Sequence, residues 1–143
     1  MKPAHNNLWC NMTTRTLNLT RPIVCFDLET TGLETKTDRV VEISCVKIHT
    51  DMSRELLTLR INPQMPIPQA ASAVHGITNE DVSNEPTFDM VAGRLADFLS
   101  GCDLTGFNLE RFDLPLLRNE FVRARITFPD GPVNIIDAHK IFI

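Results

Sequence analysis

Two acidic side chains, Asp27 and Glu29, follow the apolar run Ile23–Phe26 and stand one residue apart. Side chains alternate between the two faces of a strand, so both carboxylates are expected on one face at the end of that strand. Two acids beside a buried strand repel each other unless a cation offsets their charge, and Mg²⁺ is a hard ion that takes carboxylate oxygens. The spacing alone leaves two alternatives open, a metal site and a strand that runs into a solvated turn.

A third carboxylate, Asp113, ends the sequence N-L-E-R-F-D at 108–113. This sequence directly follows another short strand-like segment, Leu104–Phe107. If the two strands are neighbours in the sheet, the ends of both face the same edge, and Asp113 joins Asp27 and Glu29. Three converging acids without a balancing Lys or Arg are typical of a site for two divalent ions. Such ions contact the attacking and leaving oxygens of a phosphodiester during its hydrolysis.

The elements that would position these acids are three strands followed by alternating helices and strands. Hydrophobic alternation predicts strands at 22–28, 39–49 and 57–61, joined by short polar turns typical of an antiparallel meander. Downstream, the pattern predicts a helix at 87–99, a strand at 104–107 and a helical region at 108–125. Because of Pro115, the regular helix in this region starts or kinks near Asp113. A strand at 133–137 and the start of a helix at 138–143 follow. Strand, helix and strand in succession require a parallel pair with a right-handed crossover. We therefore expect an α/β fold with a mixed sheet, antiparallel then parallel, flanked by helices.

Length and composition fit one globular domain. The chain has 143 residues, of which 43% are hydrophobic and 22% charged, and this balance argues against disorder. Residues 1–20 show little periodicity, so we predict a flexible N-terminal leader there and the domain at 21–143. A net charge of −4 excludes a generally basic nucleic-acid-binding surface, but not a local site where metal ions supply the positive charge.

The location predicted from the sequence is cytoplasmic. No apolar run reaches the length of a membrane span, so no membrane partner is expected. The four cysteines never form C-x-x-C, which fits a reducing compartment and argues against a zinc site. Cys25 and Cys45 lie in apolar runs, where buried thiols are expected.

The motifs F-D-L-E-T-T-G at 26–32, H-G-I-T at 75–78 and N-L-E-R-F-D at 108–113 together resemble those of the DEDD 3′–5′ exonucleases. The branch they resemble is that of the proofreading epsilon subunit of bacterial DNA polymerase III. The resemblance runs from about residue 23 to 142 and implies a ribonuclease H-like fold, which agrees with the order of elements. It also implies removal of nucleotides from the 3′ end of single-stranded DNA with two Mg²⁺ or Mn²⁺ ions. A DNA polymerase is one partner it implies, although a helicase or no partner stays open.

The resemblance implies roles for individual residues. Asp27 resembles the acid that bridges both ions, Glu29 resembles a second ligand that also orients the attacking water, and Asp113 resembles the third acid. The residues implied around the terminal nucleotide are Thr30, Thr31, Gly32, Leu33, Val74, His75, Asn108 and Phe112. His75 has the alternative of a polar residue in the last turn of a helix, Asn108 that of a helix N-cap and Phe112 that of core packing.

One expected motif is missing from these 143 residues. The family pattern has a His followed five residues later by an Asp, which supply the general base and the fourth acid, and no such pair is present. Asp137-Ala138-His139 does not supply it, because residues 135–137 are better interpreted as the strand before the helices that would carry the motif. We therefore expect an incomplete exonuclease domain that is weak or inactive alone. Two alternatives stay open, a non-catalytic module that binds nucleic-acid 3′ ends and an exonuclease that acts on RNA.

Overall fold

A five-stranded mixed sheet with flanking helices organises residues 18–129 and 134–141, which are the residues that the computed structural model describes. The strands are β1 (Ile23–Thr30), β2 (Val40–Ile48), β3 (Arg54–Arg60), β4 (Asp103–Gly106) and β5 (Ile135–Asp137). The helices are α1 (Gln69–His75), α2 (Asn79–Val82), α3 (Phe88–Leu99), α4 (Leu114–Ala124) and α5 (Ala138–Ile141).

The strand order is β3-β2-β1-β4-β5. Strands β1, β2 and β3 pair in antiparallel fashion, whereas β1, β4 and β5 pair in parallel. The predicted mixed α/β architecture is therefore confirmed. The predicted N-terminal leader lies outside the described residues except for 18–20, so its boundary stays a prediction. None of the described helices is long and apolar enough to cross a membrane.

The central strand β1 divides its side chains between the core and the opposite face. Val24, Phe26 and Leu28 are buried in the main hydrophobic cluster. Cys25 and Asp27 point the other way and are exposed. The expectation that Cys25 is buried is therefore wrong, whereas Cys45 is buried as expected. An apolar run predicts burial from composition, but the exposure of Cys25 depends on which face of the sheet the helices cover.

Helices α3 and α4 cover the core face of the sheet with apolar residues three and four positions apart. The buried members are Phe88, Val91, Ala92, Leu95 and Leu99 in α3 and Leu114, Leu116, Leu117 and Phe121 in α4. The two helices meet through an edge-to-face pair of rings, Phe88 and Phe121, whose centroids are 5.3 Å apart. This packing holds α4, and therefore the turn before it, against the end of β4.

An acid on the apolar face of α4 ties that helix to the beginning of β2. Glu120 is buried, and its Oε1 lies 2.6 Å from Arg39 Nε and 3.1 Å from an Arg123 guanidinium nitrogen. Its Oε2 accepts the backbone N–H of Val40 at 2.9 Å. A buried carboxylate without such partners would be strongly destabilising, so these contacts explain why helical spacing places an acid here.

A π-helical turn at Leu109–Asp113 leads into α4. Pro115 cannot donate a backbone hydrogen bond, and its ring would clash with the carbonyl four residues earlier in a regular α-helix. The Leu114 N–H bonds to the Leu109 carbonyl, five residues back, which is the π pattern. The regular helix begins at Leu114, as Pro115 indicated.

Gly106, the last residue of β4, is packed too closely for any side chain. A Cβ there would lie 2.8 Å from the carbonyl oxygen of Phe26 and 3.2 Å from Cδ1 of Leu109. This contact brings the chain that leaves β4 directly against β1, one residue before Asp27.

Gly106→Ala is expected to destabilise the protein by about 1–3 kcal/mol, because the rigid backbone of β1 must shift to admit the methyl group. The matched control is Gly93→Ala in α3, where a Cβ meets nothing within 4 Å. That variant should gain about 0.5–1 kcal/mol from helix propensity. Urea denaturation measures both, and a Gly106→Ala variant as stable as the native protein would contradict the close packing.

Candidate active site

The C-terminal ends of β1 and β4 meet at one edge of the sheet and carry the three predicted acids. The parallel pairing aligns Ile23–Cys25 with Asp103–Thr105. Asp27 and Glu29 follow on β1, two positions apart and therefore on one face. Asp113 follows β4 at the end of the π-helical turn. Asp113 is close enough for the charges of Asp27 and Glu29 to raise its pKa, so the acids gather at one edge.

Asp113 is a buried acid with an unsatisfied oxygen. Its exposure is 5%, and its Oδ2 has no hydrogen-bond partner among the described residues. Burial is the largest cause that raises the pKa of Asp113 to about 7, and the negative charge of Asp27 is the next. The backbone N–H of Leu28 opposes this shift, and it likewise opposes the effect of burial that raises the pKa of Asp27. Both carboxylates therefore lie near the same N–H group.

The two acids of β1 are also destabilised as anions. Burial raises the pKa of Asp27 above the usual value for an aspartate. Burial and then the charge of Asp27 raise the pKa of Glu29. The anionic form of each of the three acids is therefore less favourable here than in water, and a bound divalent ion would offset this cost.

The donor set fits a hard divalent cation in its chemistry. Carboxylate oxygens are the ligands that Mg²⁺ and Mn²⁺ prefer, and the unpartnered Oδ2 of Asp113 is a free donor atom at this edge. Within residues 18–129 and 134–141, however, no group of three or more His, Cys, Asp or Glu side chains is already arranged to hold a metal ion. Asp27, Glu29 and Asp113 are therefore neighbours rather than a preassembled coordination sphere.

The loop after β1 is held by its own hydroxyl groups. Thr31 Oγ1 donates to Asp38 Oδ1 at 2.8 Å and accepts the Arg39 N–H at 3.0 Å. Thr30 Oγ1 donates to the Gly32 carbonyl at 2.7 Å. These hydroxyls belong to two residues that the resemblance places around the terminal nucleotide, and they already have partners within the loop. Hydrogen bonds within the loop therefore define its conformation without a ligand.

Gly32 is required by the position of Asp38. A Cβ on Gly32 would lie 2.5 Å from Asp38 Oδ2, which accepts the backbone N–H of Glu34 at 2.8 Å. The hydrogen bonds of Asp38 to Thr31 and Glu34 show a structural acid. It fixes the curvature of the loop that borders Glu29.

A cavity of about 570 Å³ opens beside Glu29. Its walls include seven of the eight residues that the resemblance places around a nucleotide: Thr30, Thr31, Gly32, Leu33, Val74, His75 and Phe112. Asn108 does not line it and instead precedes the π-helical turn with a left-handed backbone, φ 57°. Its side chain makes no cap hydrogen bond there, so it is not acting as the N-cap that we considered.

The sequence analysis did not assign five further wall residues: Leu28, Asp38, Pro68, Ala70 and Ala71. A usable signal existed, because Ala70, Ala71 and Val74 recur at helical spacing and lie on one side of α1. A small apolar cluster of Val41, Ile67, Ile77 and Val82 packs this segment onto the beginning of β2. Leu33 and Val74 remain 87% and 86% exposed at the mouth of the cavity.

His75 joins the end of α1 to the end of β1. Its Nδ1 accepts the backbone N–H of Ile77 at 3.1 Å, and its Nε2 lies 3.0 Å from the carbonyl oxygen of Thr30. Both ring nitrogens thus contact backbone groups, while the ring still borders the cavity. The two roles that we weighed for His75, at the rim of a pocket and at a helix end, therefore coincide in one position.

The known proteins that this chain resembles include an exonuclease family and epsilon subunits of DNA polymerase III. A family model described as an exonuclease matches residues 24–141. A DNA polymerase III subunit epsilon-like protein of Rhodobacter capsulatus is 39% identical over 113 residues, covering 77% of this chain and 16% of that protein. The 3′–5′ exonuclease DinG of Bacillus subtilis is 33% identical, covering 77% and 12%. The DNA polymerase III subunit epsilon of Rickettsia conorii is 33% identical, covering 78% and 58%.

Solved structures share the fold at low identity. E. coli exonuclease I in complex with a dT13 oligonucleotide superimposes with a TM-score of 0.75 and 18% identity, covering 86% of this chain and 29% of that chain. The chain therefore spans less than two thirds of the length of each of these relatives.

The raised pKa of Asp113 predicts a pH dependence of stability in metal-free protein. The folded state holds this proton with a pKa of about 7, whereas the unfolded chain releases it near 4. The folded state therefore binds more protons within that window, and this contribution to stability is lost as pH rises from about 4 to about 7. Asp113→Asn should remove it, so the variant gains stability relative to the native protein with rising pH.

Urea denaturation with a chelator at about pH 5 and about pH 8 measures this difference. Asp103→Asn, at the other end of β4, is the control for loss of a buried aspartate. Parallel pH profiles for Asp113→Asn and the native protein would contradict the prediction.

Proposed function

Because the chain belongs to the exonuclease family, we propose that its residues serve the 3′–5′ hydrolysis of the terminal phosphodiester bond of single-stranded DNA. In this proposal Asp27, Glu29 and Asp113 hold two Mg²⁺ or Mn²⁺ ions, and the cavity beside Glu29 takes the terminal nucleotide. The observation that carries it is the unpartnered, buried Oδ2 of Asp113 in the field of the two acids of β1.

The chemistry that such ions supply is the activation of water and the neutralisation of charge on the scissile phosphate. The charge of Asp27 raises the pKa of both Glu29 and Asp113, and its side chain is exposed, so in this proposal it is the ligand that would contact both ions. Glu29 borders the cavity, where its carboxylate orients water against the phosphate. The loop after β1, which is held by its own hydrogen bonds, sets the distance between the acids and the bound nucleotide in this proposal.

The mouth of the cavity suits a nucleobase. Leu33 and Val74 present exposed apolar side chains on opposite segments, the loop after β1 and helix α1. Phe112 adds a ring to the wall close to Asp113. A base between these side chains would be held by apolar contact without hydrogen-bond readout, which predicts binding with little preference among the four bases.

We propose that hydrolysis by these 143 residues alone is slow. A general base contributes about 10²–10⁴-fold, and none is assigned among the described residues. The ring nitrogens of His75 contact backbone groups, and the ring of His139 packs edge-to-face on Phe107. Binding of a 3′ end without appreciable cleavage is therefore the second candidate function.

DNA is the proposed substrate because the relatives named above include DNA polymerase III epsilon subunits and an exonuclease I bound to an oligodeoxynucleotide. The same epsilon relatives make a DNA polymerase the proposed partner. Cleavage of RNA and a cytoplasmic location stay predictions from the sequence.

Mn²⁺ is expected to raise the melting temperature of the protein, since an ion that binds only the folded state stabilises it by about 2.7 kcal/mol at 100 times its dissociation constant. Asp113→Asn should lose this effect. Asp81→Asn, which alters an exposed aspartate in the capping box of α2, should keep it. An equal Mn²⁺-dependent shift in Asp113→Asn and the native protein would argue against Asp113 as a ligand.

A 5′-labelled single-stranded DNA with a free 3′ hydroxyl tests the reaction and its direction. With Mn²⁺ we expect binding and slow stepwise shortening, and no shortening for Asp27→Asn. A parallel RNA oligomer tests the alternative substrate. Binding without any cleavage favours the end-binding module, and faster cleavage of RNA than of DNA would overturn the proposed substrate.

A further inference from the structure

A fourth acid, Asp137, lies at the same edge of the sheet but has no place in the proposed set of ligands. It ends β5, where it pairs in parallel register with Gly106 of β4. It is only 5% exposed. Its charge is among the causes that raise the pKa of Asp113, so the two carboxylates lie within electrostatic range of each other.

The carboxylate of Asp137 binds backbone N–H groups of two separate segments. Its Oδ2 accepts the N–H of Glu110 at 3.1 Å, within the first turn of the π-helical segment. Its Oδ1 accepts the N–H of His139 at 3.1 Å, in helix α5. The N–H groups of Leu109 and Asn108 also face the carboxylate, and together these donors lower the pKa of Asp137. Asp137 is therefore an anion that satisfies N–H groups at the beginning of the π-helical turn.

Two further contacts hold the same pair of segments together. The rings of Phe107 and His139 meet edge-to-face with centroids 5.1 Å apart. The Lys140 ammonium forms an ion pair with the carboxylate of Glu110. The corner between β5 and α5 thus contacts residues 107–110 through three side chains, those of Asp137, His139 and Lys140, of which Asp137 is buried.

The π-helical turn needs such support. The first N–H groups of a helical segment have no partner within it, and π geometry is rare outside short, externally stabilised turns. Asn108 begins the turn with a left-handed backbone, which is uncommon for residues other than glycine although Asn tolerates it better than most. Pro115 constrains the end of the turn, whereas Asp137 supplies acceptors at its beginning. Relaxation to a regular α-helix would remove one residue from the wide turn and rotate the following side chains by about 100°.

We propose that Asp137 is a positioning residue, which holds the turn Leu109–Asp113 in its π-helical form so that the carboxylate of Asp113 faces Asp27. The inference rests on the proposed function, because it concerns the placement of a proposed ligand. In this proposal the ligand is Asp113, whose Oδ2 has no hydrogen-bond partner among the described residues, whereas both oxygens of Asp137 accept backbone hydrogen bonds. Partners that orient a metal ligand in this way are typically worth about 10–100-fold in metal affinity.

The test measures Mn²⁺ affinity and backbone protection in the 143-residue chain. Asp137→Asn retains one acceptor and is expected to weaken Mn²⁺ binding by about tenfold or more. The matched control is Asp103→Asn, because Asp103 is also buried and accepts the N–H of Asn134 at the beginning of β5. It should bind Mn²⁺ as the native protein does. The double variant Asp113→Asn/Asp137→Asn should bind no more weakly than Asp113→Asn, since residues that act through one another are not additive.

Amide hydrogen exchange in metal-free protein separates positioning from ligation. Asp137→Asn should speed exchange at residues 110–114, whereas Asp103→Asn should not. Weaker Mn²⁺ binding with unchanged exchange would make Asp137 a ligand and overturn the inference, as would unchanged Mn²⁺ binding. If Asp137→Asn does not fold, the native protein still decides, because a Glu110 amide that exchanges as fast as an exposed one would overturn it. A native protein that binds no Mn²⁺ at all refutes the proposed function first, and the inference with it.

Discussion

The repulsion among the carboxylates at the ends of β1 and β4 is the constraint on which the surrounding structure depends. Asp113 is buried without a hydrogen-bond partner for one oxygen, and the charges of Asp27 and Glu29 make its ionised form less favourable still. An arrangement of this kind persists only where neighbouring contacts over-determine the backbone, because relaxation would otherwise move the acids apart. Those contacts are the close approach of Gly106 to β1, the contacts of Glu120 with Arg39 and Val40, and the hydrogen bonds of Asp137.

The two faces of β1 carry different kinds of residue. Val24, Phe26 and Leu28 supply apolar surface to the core, and the intervening positions carry the acids. A shift of one residue in the pairing of β1 would exchange these two sets, so the same register that buries the core also exposes Asp27. Stability and the proposed chemistry therefore depend on one set of strand contacts. Because the same register buries the core and places the acids, the packing of the core offsets the mutual repulsion of the carboxylates.

The loop after β1 is held by hydrogen bonds between its own residues. The hydroxyls of Thr30 and Thr31 form hydrogen bonds within the loop, and Asp38 fills the space that a side chain on Gly32 would need. These hydrogen bonds shape the wall of the cavity. Apolar contact at Leu33 and Val74 is then the available means of holding a base, with the acids reserved for the phosphate in the proposed function.

The sequence by itself determined the order of elements, the mixed sheet and the three acids at its edge, because strand alternation and helical spacing are local properties that a single chain displays. It also indicated most of the cavity wall through the T-T-G and H-G-I-T motifs. Tertiary structure alone decided that Cys25 is exposed, that Asn108 does not line the cavity and that Asp137 reaches the π-helical turn. Each of these depends on contacts between segments distant in the chain, such as the 27 residues that separate Glu110 from Asp137. Local pattern carries no information about which buried oxygen finds a donor, and that pairing is what separates the unsatisfied Asp113 from the satisfied Asp137.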